Sequence, residues 1–165
     1  MLMVTFTLSV HAQTSKADKN AVKAADIKLL VESKKYLFVA NQAFPMGGSM
    51  INLTSANFDL KLANDTLTTF LPYYGVVYSA PINAADGGVK LTTTKFAYKA
   101  VLKKNGSYEI DIKPTNPEVR GPGDVNRMIL NVSPDGYATL QVFSVNRQGI
   151  LFNGWLEKIK PEKAS

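Results

Sequence analysis

Apolar and polar positions alternate along most of this chain, and the period of the alternation changes once. Between Thr14 and about Lys35 the apolar residues recur at helical spacing. Val22, Ala25 and Leu29 share one face, Ile27, Leu30 and Val31 widen it, and Lys16, Lys19 and Lys23 lie mostly opposite. That spacing predicts one amphipathic helix that packs on something. Ser15 with Asp18 three residues on approximates a capping box, in which hydroxyl and carboxylate satisfy the first free N–H groups.

From Tyr36 the period is two. Tyr36-Leu37-Phe38-Val39-Ala40 is a continuous apolar run, which suggests a strand buried on both faces, and Pro45-Met46-Gly47-Gly48 breaks it. Phe58, Leu60 and Leu62 alternate with Asn57, Asp59 and Lys61. Asn64-Asp65 turns the chain into Leu67, Thr69 and Leu71. Phe96, Tyr98, Ala100 and Leu102 face one way against Lys95, Lys99 and Lys103. Asn105-Gly106 signals a hairpin of type I′, which needs positive φ at both positions. Tyr108, Ile110 and Ile112 return. A loop over 113–124 precedes Met128, Leu130 and Val132. Ser133-Pro134-Asp135-Gly136 turns into Ala138, Leu140 and Val142, whose other face (Tyr137, Thr139, Gln141, Phe143) is also partly apolar. Asn146 to Gly149 turns again before Ile150 to Lys158. The expected fold is therefore mainly β: an antiparallel meander of about eight strands forming a small barrel or a sandwich, with one N-terminal amphipathic helix.

The first residues read differently. Leu2 to Val10 is an uncharged apolar run, and Val10-His11-Ala12 places small residues at the −3 and −1 positions of a signal-peptidase site before Gln13. No Lys or Arg precedes the run, so the basic part of the leader is truncated, or Met1 is not the true start. Residues 1–12 are read as a signal peptide and 13–165 as a single β-rich domain. The run is shorter than the roughly 20 residues that cross a bilayer, and no later stretch spans one. With no Cys for a lipid anchor, the expected product is soluble, not membrane-spanning, and periplasmic or secreted.

Composition removes most enzyme chemistry. The chain has one His, His11 inside the leader, and no Cys. Serine and cysteine hydrolases and His-ligated metals lack their residues, and neither a metal nor a cofactor is expected. The net charge of +6 is spread over scattered lysines and not concentrated in a block, so a nucleic-acid partner is not expected. A pair of carboxylates could still hydrolyse glycosides. The acids, among them Asp59, Asp65, Asp86, Glu109, Asp111, Glu118, Asp124 and Asp135, sit almost all at turns or on polar strand faces. Gly47-Gly48, Gly87-Gly88 and Gly121-Pro122-Gly123 lack the lysine spacing of a phosphate loop.

One connection is unusual: Leu71-Pro72-Tyr73-Tyr74-Gly75, then Tyr78-Ser79-Ala80-Pro81 and Gly87-Gly88-Val89-Lys90. With Asn64-Asp65-Thr66-Leu67 before it, and Asn146-Arg147-Gln148-Gly149-Ile150 and Gly154 after it, this order of segments resembles DUF4251, a Bacteroidetes domain of unknown function. The resemblance covers roughly residues 25 to 160. It implies envelope export and an all-β body, and it supplies no activity. Asp65-Thr66-Leu67 also looks like the site that Bacteroidetes glycosylate on exported proteins, which marks Thr66 for O-glycosylation; a plain Asx turn is the alternative.

The binding candidates are Tyr73, Tyr74 and Tyr78, whose flat rings suit a sugar or an apolar ring. Asn146, Arg147 and Gln148 join them, as polar side chains able to grip a carboxylate or sugar hydroxyls. The function expected is non-enzymatic binding of a small apolar or glycan-like ligand at a barrel mouth. The alternatives are a structural or protein-interaction module with an envelope partner, and a carboxylate-dependent hydrolase.

Overall fold

Tight hairpins carry most of this fold, and each follows from local residues. In the computed structural model, residues 16–55, 57–78, 88–115 and 125–160 are described. The helix α1 (Lys16–Ser33) comes first. It ends because Lys34 takes a left-handed φ of 53°. Lys34 N–H then donates to Val31 C=O and Lys35 N–H to Leu30 C=O, the pair of bonds that closes a Schellman cap. Residues 1–12, read from the sequence as a leader containing His11, and Ser15 of the expected capping box lie outside the described residues.

Ten strands follow: β1 (Tyr36–Pro45), β2 (Ile51–Asn52), β3 (Asp59–Ala63), β4 (Thr66–Leu71), β5 (Val89–Thr93), β6 (Phe96–Leu102), β7 (Tyr108–Pro114), β8 (Val125–Val132), β9 (Tyr137–Ser144) and β10 (Ile150–Glu157). They form one antiparallel sheet in the order β5-β4-β3-β1-β10-β9-β8-β7-β6, with β2 pairing beside β1. The two end strands, β5 and β6, are consecutive in the chain and joined only through Thr94 and Lys95, so the sheet curls almost shut. The architecture is a nearly closed barrel and not a sandwich. Two strands went unread in the pattern: β2, which is two residues long, and β5, whose Val89, Leu91 and Thr93 alternate directly after the Gly-rich connection.

On most strands the inward face is the one the alternation marks; β6 is an exception, because Ala100 and Leu102 of its marked row are exposed. Leu60 and Leu62, Leu67 and Leu71, Ile110 and Ile112, Met128 and Leu130, and Leu140 and Phe152 are all fully buried. β1 departs from its expected two-sided burial. Tyr36, Phe38 and Ala40 are buried while Leu37 and Val39 are half-exposed on the outside. A bulge between Ala40 and Gln42 then shifts the phase, so that Ala43 points inward in its turn.

Two sequence expectations are corrected. Type I′ geometry belongs to Asn64-Asp65, with φ of 50° and 57°. In the β6–β7 hairpin only Gly106 has positive φ, 80°, and Gly106 N–H closes on Lys103 C=O. That is a type I turn followed by a left-handed glycine, and the β8–β9 hairpin repeats it with Gly136 at φ 91°. The second correction concerns α1, which docks through Ile27, Leu30 and Val31, while Val22 and Leu29 are each 63% exposed. Tyr98 Oη donates to Val31 C=O at 3.3 Å, and Ile27 Cδ1 lies over the open face of Gly136. These contacts put the helix against one end of the barrel, near β6 and the β8–β9 turn.

Candidate functional site

The connection between β9 and β10 carries three of the candidate side chains, and a distant segment holds it in place. After β4 the chain runs through Pro72 to Tyr78 and lies antiparallel to 146–148. Val77 and Arg147 form an isolated bridge. Tyr78 N–H donates to Asn146 C=O at 2.8 Å, and Gln148 N–H to Val76 C=O at 3.0 Å. The Tyr73 hydroxyl lies 2.9 Å from both the Val76 and Gln148 carbonyls and donates its one proton to either. Burial pushes the Tyr73 phenol up, against the pull of the Arg147 charge, so the hydroxyl remains a donor. Gly75 lets the ring fold back, because a Cβ there would lie 2.8 Å from Tyr73 Oη.

Arg147 is 5% exposed. Its guanidinium lies 5.1 Å from the centre of the Tyr73 ring, a cation–π stack that offsets part of the cost of burying the charge. Nη1 donates to Gly88 C=O at 3.0 Å. Gly88 is itself a close approach, since a Cβ there would lie 2.7 Å from Leu71 C=O. Tyr73, Arg147 and Gly88, drawn from three separate parts of the chain, thus form one clamp. Among the described residues no carboxylate lies within ion-pair distance of Arg147.

Beside this clamp lies an open groove of about 540 Å³, lined chiefly by Phe44, Met46, Tyr78, Phe143, Gln148 and Leu151, with Arg147 at its edge. Phe44 pairs with Leu151, and Leu151 with Gln141, so these three share the outer surface of the sheet. The groove is therefore at the rim of the barrel, on its outside, where β1 stops and β9 gives way to β10. The Gln148 Oε1 atom is buried without a hydrogen-bond partner.

The six sequence candidates separate here. Tyr78, 66% exposed, joins Arg147 and Gln148 on the groove. Tyr73 sits beneath the guanidinium as its support. Tyr74 is exposed and does not line the groove, and Asn146 contributes its backbone carbonyl to Tyr78. Phe44, Met46, Phe143 and Leu151 were not expected. Their one signal was the second apolar face of β9, which carries Phe143.

Two of the acids named in the sequence, Asp111 and Glu109, are engaged by basic side chains. Asp111 takes a bidentate bond from Arg127 at 2.9 and 3.1 Å, with Lys113 at 3.5 Å. The hydrogen bond from Arg127, more than any other influence, holds its carboxyl below the ordinary carboxylate range. Glu109 pairs with Lys103 at 3.1 Å. Half-burial pushes the Asp59 carboxyl up, against the nearby Lys61 charge. No cluster of three or more potential metal ligands occurs among the described residues; Asp86, Glu118 and Asp124 lie outside them. Thr66 opens β4 opposite Ala63, half-buried beside the exposed Asn64-Asp65 turn. No helix among the described residues is long and apolar enough to cross a membrane.

Comparison with known proteins agrees with this architecture. A crystal structure of a DUF4251 family protein from Bacteroides eggerthii superposes with a TM-score of 0.58 at 17% identity, over 84% of this chain and 89% of that one. That is a likeness of fold. No curated protein matches the chain. The family model described as "Domain of unknown function (DUF4251)" matches residues 18–156, and the chain belongs to this family.

Proposed function

We propose that this is an exported domain that binds a small apolar or glycan-like molecule without transforming it, in the groove beside Arg147. One observation carries the reading. A groove of about 540 Å³, within the range of small-molecule sites, brings apolar side chains together with the exposed Tyr78 and with Arg147 and Gln148. Pockets that orient ligands combine an apolar lining with a few placed polar groups in this way. The Tyr73–Arg147–Gly88 clamp supports the reading because it fixes the polar groups in advance of a ligand. Export rests on the apolar run before Gln13, and with it the modification of Thr66, which opens β4 directly after the Asn64-Asp65 turn. Native mass spectrometry of protein purified from its own cell envelope tests all three together. The expected species begins at Gln13, carries a glycan on Thr66 and brings a co-purifying small molecule. Tyr78→Ala, an exposed position, should release that molecule with the fold intact. An intact N-terminus in the cytosolic fraction would refute export, and a ligand retained by Tyr78→Ala would refute the groove.

A second reading, docking of an envelope protein, draws on the exposed Val76, Val77 and Val145, close in sequence to the groove residues Tyr78, Phe143 and Arg147. Enrichment of one envelope protein by the wild type, and not by Val76→Glu, would favour it over the small molecule.

A further inference from the structure

We infer that the outer face of β9, β10 and β1 binds an extended, uncharged oligosaccharide laid along the strands from Trp155 to the rim of the groove. This rests on the binding reading above, carries it beyond the groove and names the ligand class. Strand register supplies the argument. Tyr137, Trp155 and Val39 form one row across the three strands. Thr139, Asn153 and Gln42 form the next, which continues to Asn52 of β2. Gln141, Leu151 and Phe44 form the third, and this row is also a wall of the groove. The intervening Ala138, Leu140, Phe152 and Ala43 are buried, so all three rows stand on the outside. No residue in these rows is charged. By contrast β3, β5, β6, β7 and β8 place Asp59, Lys90, Lys99, Asp111 and Arg127 on their outer faces.

The order of the rows selects the ligand. A protein interface has an apolar centre inside a polar rim. Here the amides and the hydroxyl are in the middle, and rings and aliphatic side chains lie to either side. Trp155 is 43% exposed, and its ring meets that of Tyr137 edge-on, at 82° and 5.5 Å, a favourable contact that braces the indole. Thr139 Oγ1 donates to Asn153 Oδ1 at 3.1 Å. That bond turns the amide oxygen toward β9 and does not use the NH2 group. A sugar ring has a flat C–H face that stacks on an aromatic ring, and its edge carries hydroxyls that both donate and accept. Amide side chains answer in both senses. A saccharide chain following β10 therefore meets an indole, then amides, then the apolar wall of the groove. From Trp155 to Leu151 the strand rises about 13 Å, at about 3.3 Å per residue, which is longer than one sugar ring. An anionic polymer finds no basic side chain in these rows.

Trp155 is the single tryptophan of the chain, so tryptophan emission reports on the far row alone. The test titrates the full-length protein with cellohexaose, mannohexaose and maltohexaose, and with hexagalacturonate as the charged control. It follows Trp155 emission together with the backbone amides of Phe143 and Leu151 by NMR. At least one neutral hexamer should move both reporters saturably, and bind at least tenfold tighter than hexagalacturonate and than its own disaccharide. Asn153→Asp still accepts from Thr139 but has no NH2 group, and it should weaken that hexamer several-fold by calorimetry at an unchanged thermal midpoint. Trp155→Leu should weaken it at least tenfold, and serves as the second variant if Asn153→Asp disturbs the fold. A hexamer that moves the Phe143 and Leu151 amides but not Trp155 emission would confine the ligand to the groove, which overturns this inference and leaves the binding reading standing. Equal binding of hexagalacturonate would overturn it as well. So would silence of both reporters with every saccharide, and the groove is then judged by its co-purifying molecule alone. A Trp155 emission that changes on dilution without sugar would give the face to a second copy of the chain, against the inference.

Discussion

Gly154 and Gly47 separate two reasons for a glycine, and one measurement distinguishes them. Gly154 lies on β10 opposite Ala40 of β1 and Ala138 of β9, and a Cβ there would stand 1.9 Å from Val39 C=O. That is backbone against backbone at the β1 bulge, with no side chain free to move away. Gly47 has a φ of +79° and open space around it, so alanine there meets only backbone strain. Gly154→Ala should cost about 3 kcal/mol or more, as severe overpacking does, and Gly47→Ala about 1 kcal/mol, the strain of a left-handed alanine. Urea unfolding midpoints of the two variants check this; equal losses would mean that β1 can move away from β10. The need at Gly47 was legible, because Pro-Met-Gly-Gly marks a turn in its own local sequence. The need at Gly154 was not, because a strand from the opposite end of the chain creates it. The site divides along the same line. Arg147 and Tyr73 were legible as residues suited to binding, whereas the stack between them and the Gly88 carbonyl that fixes the guanidinium are products of tertiary structure.

Elements were read most securely where one face alone could go inside. β3, β4, β7 and β8 each carry one inward row, and burial follows it. On the helix the pattern marked one broad apolar face, Val22, Ala25 and Leu29 widened by Ile27, Leu30 and Val31, and only part of it docks. Its partners chose: Tyr98 reaches the Val31 carbonyl, and Gly136 leaves room for Ile27 and no more, with a Cβ there only 3.2 Å from Ile27 Cδ1. The row bearing Ile27, Leu30 and Val31 was taken into the core, and the row bearing Val22 and Leu29 was left in solvent. Alanine substitutions should reproduce this choice. Ile27→Ala removes a buried side chain and should cost about 2–4 kcal/mol, while Leu29→Ala should stay within about 0.5 kcal/mol of the parent. Thermal unfolding of both variants is sufficient, and a larger loss at Leu29 would mean that the helix docks in another rotation. Hairpins show a comparable limit. Asn64-Asp65 and Asn105-Gly106 both signalled a turn correctly, yet the turn type depended on loop length, which a dipeptide does not specify.

At the scale of the whole molecule the decisive contact is the pairing of β1 with β10, the first long strand with the last. The chain order alone gives two meanders, β3-β4-β5 beside β1 and β6 through β10, and local hairpins build each. Only the β1–β10 seam, running from Leu37 against Glu157 to Pro45 against Ile150, joins them into one curled sheet. Alternation reveals which residues point inward but not which strands are neighbours, so barrel and sandwich stayed open until this seam was seen. The seam also sites the groove, since Phe44 on β1 and Leu151 on β10 meet there. A chain ending at Gly149 lacks Ile150, Phe152 and Leu156 from the core and exposes an edge on both β1 and β9. Such a chain should lose its cooperative thermal transition altogether, because neither meander keeps a closed interior. A synthetic peptide spanning residues 149–158, added in excess, should restore the transition by supplying the missing strand. If the shortened chain instead melts cooperatively without the peptide, each meander has a core of its own, and the barrel is an association of two units and not one folding unit.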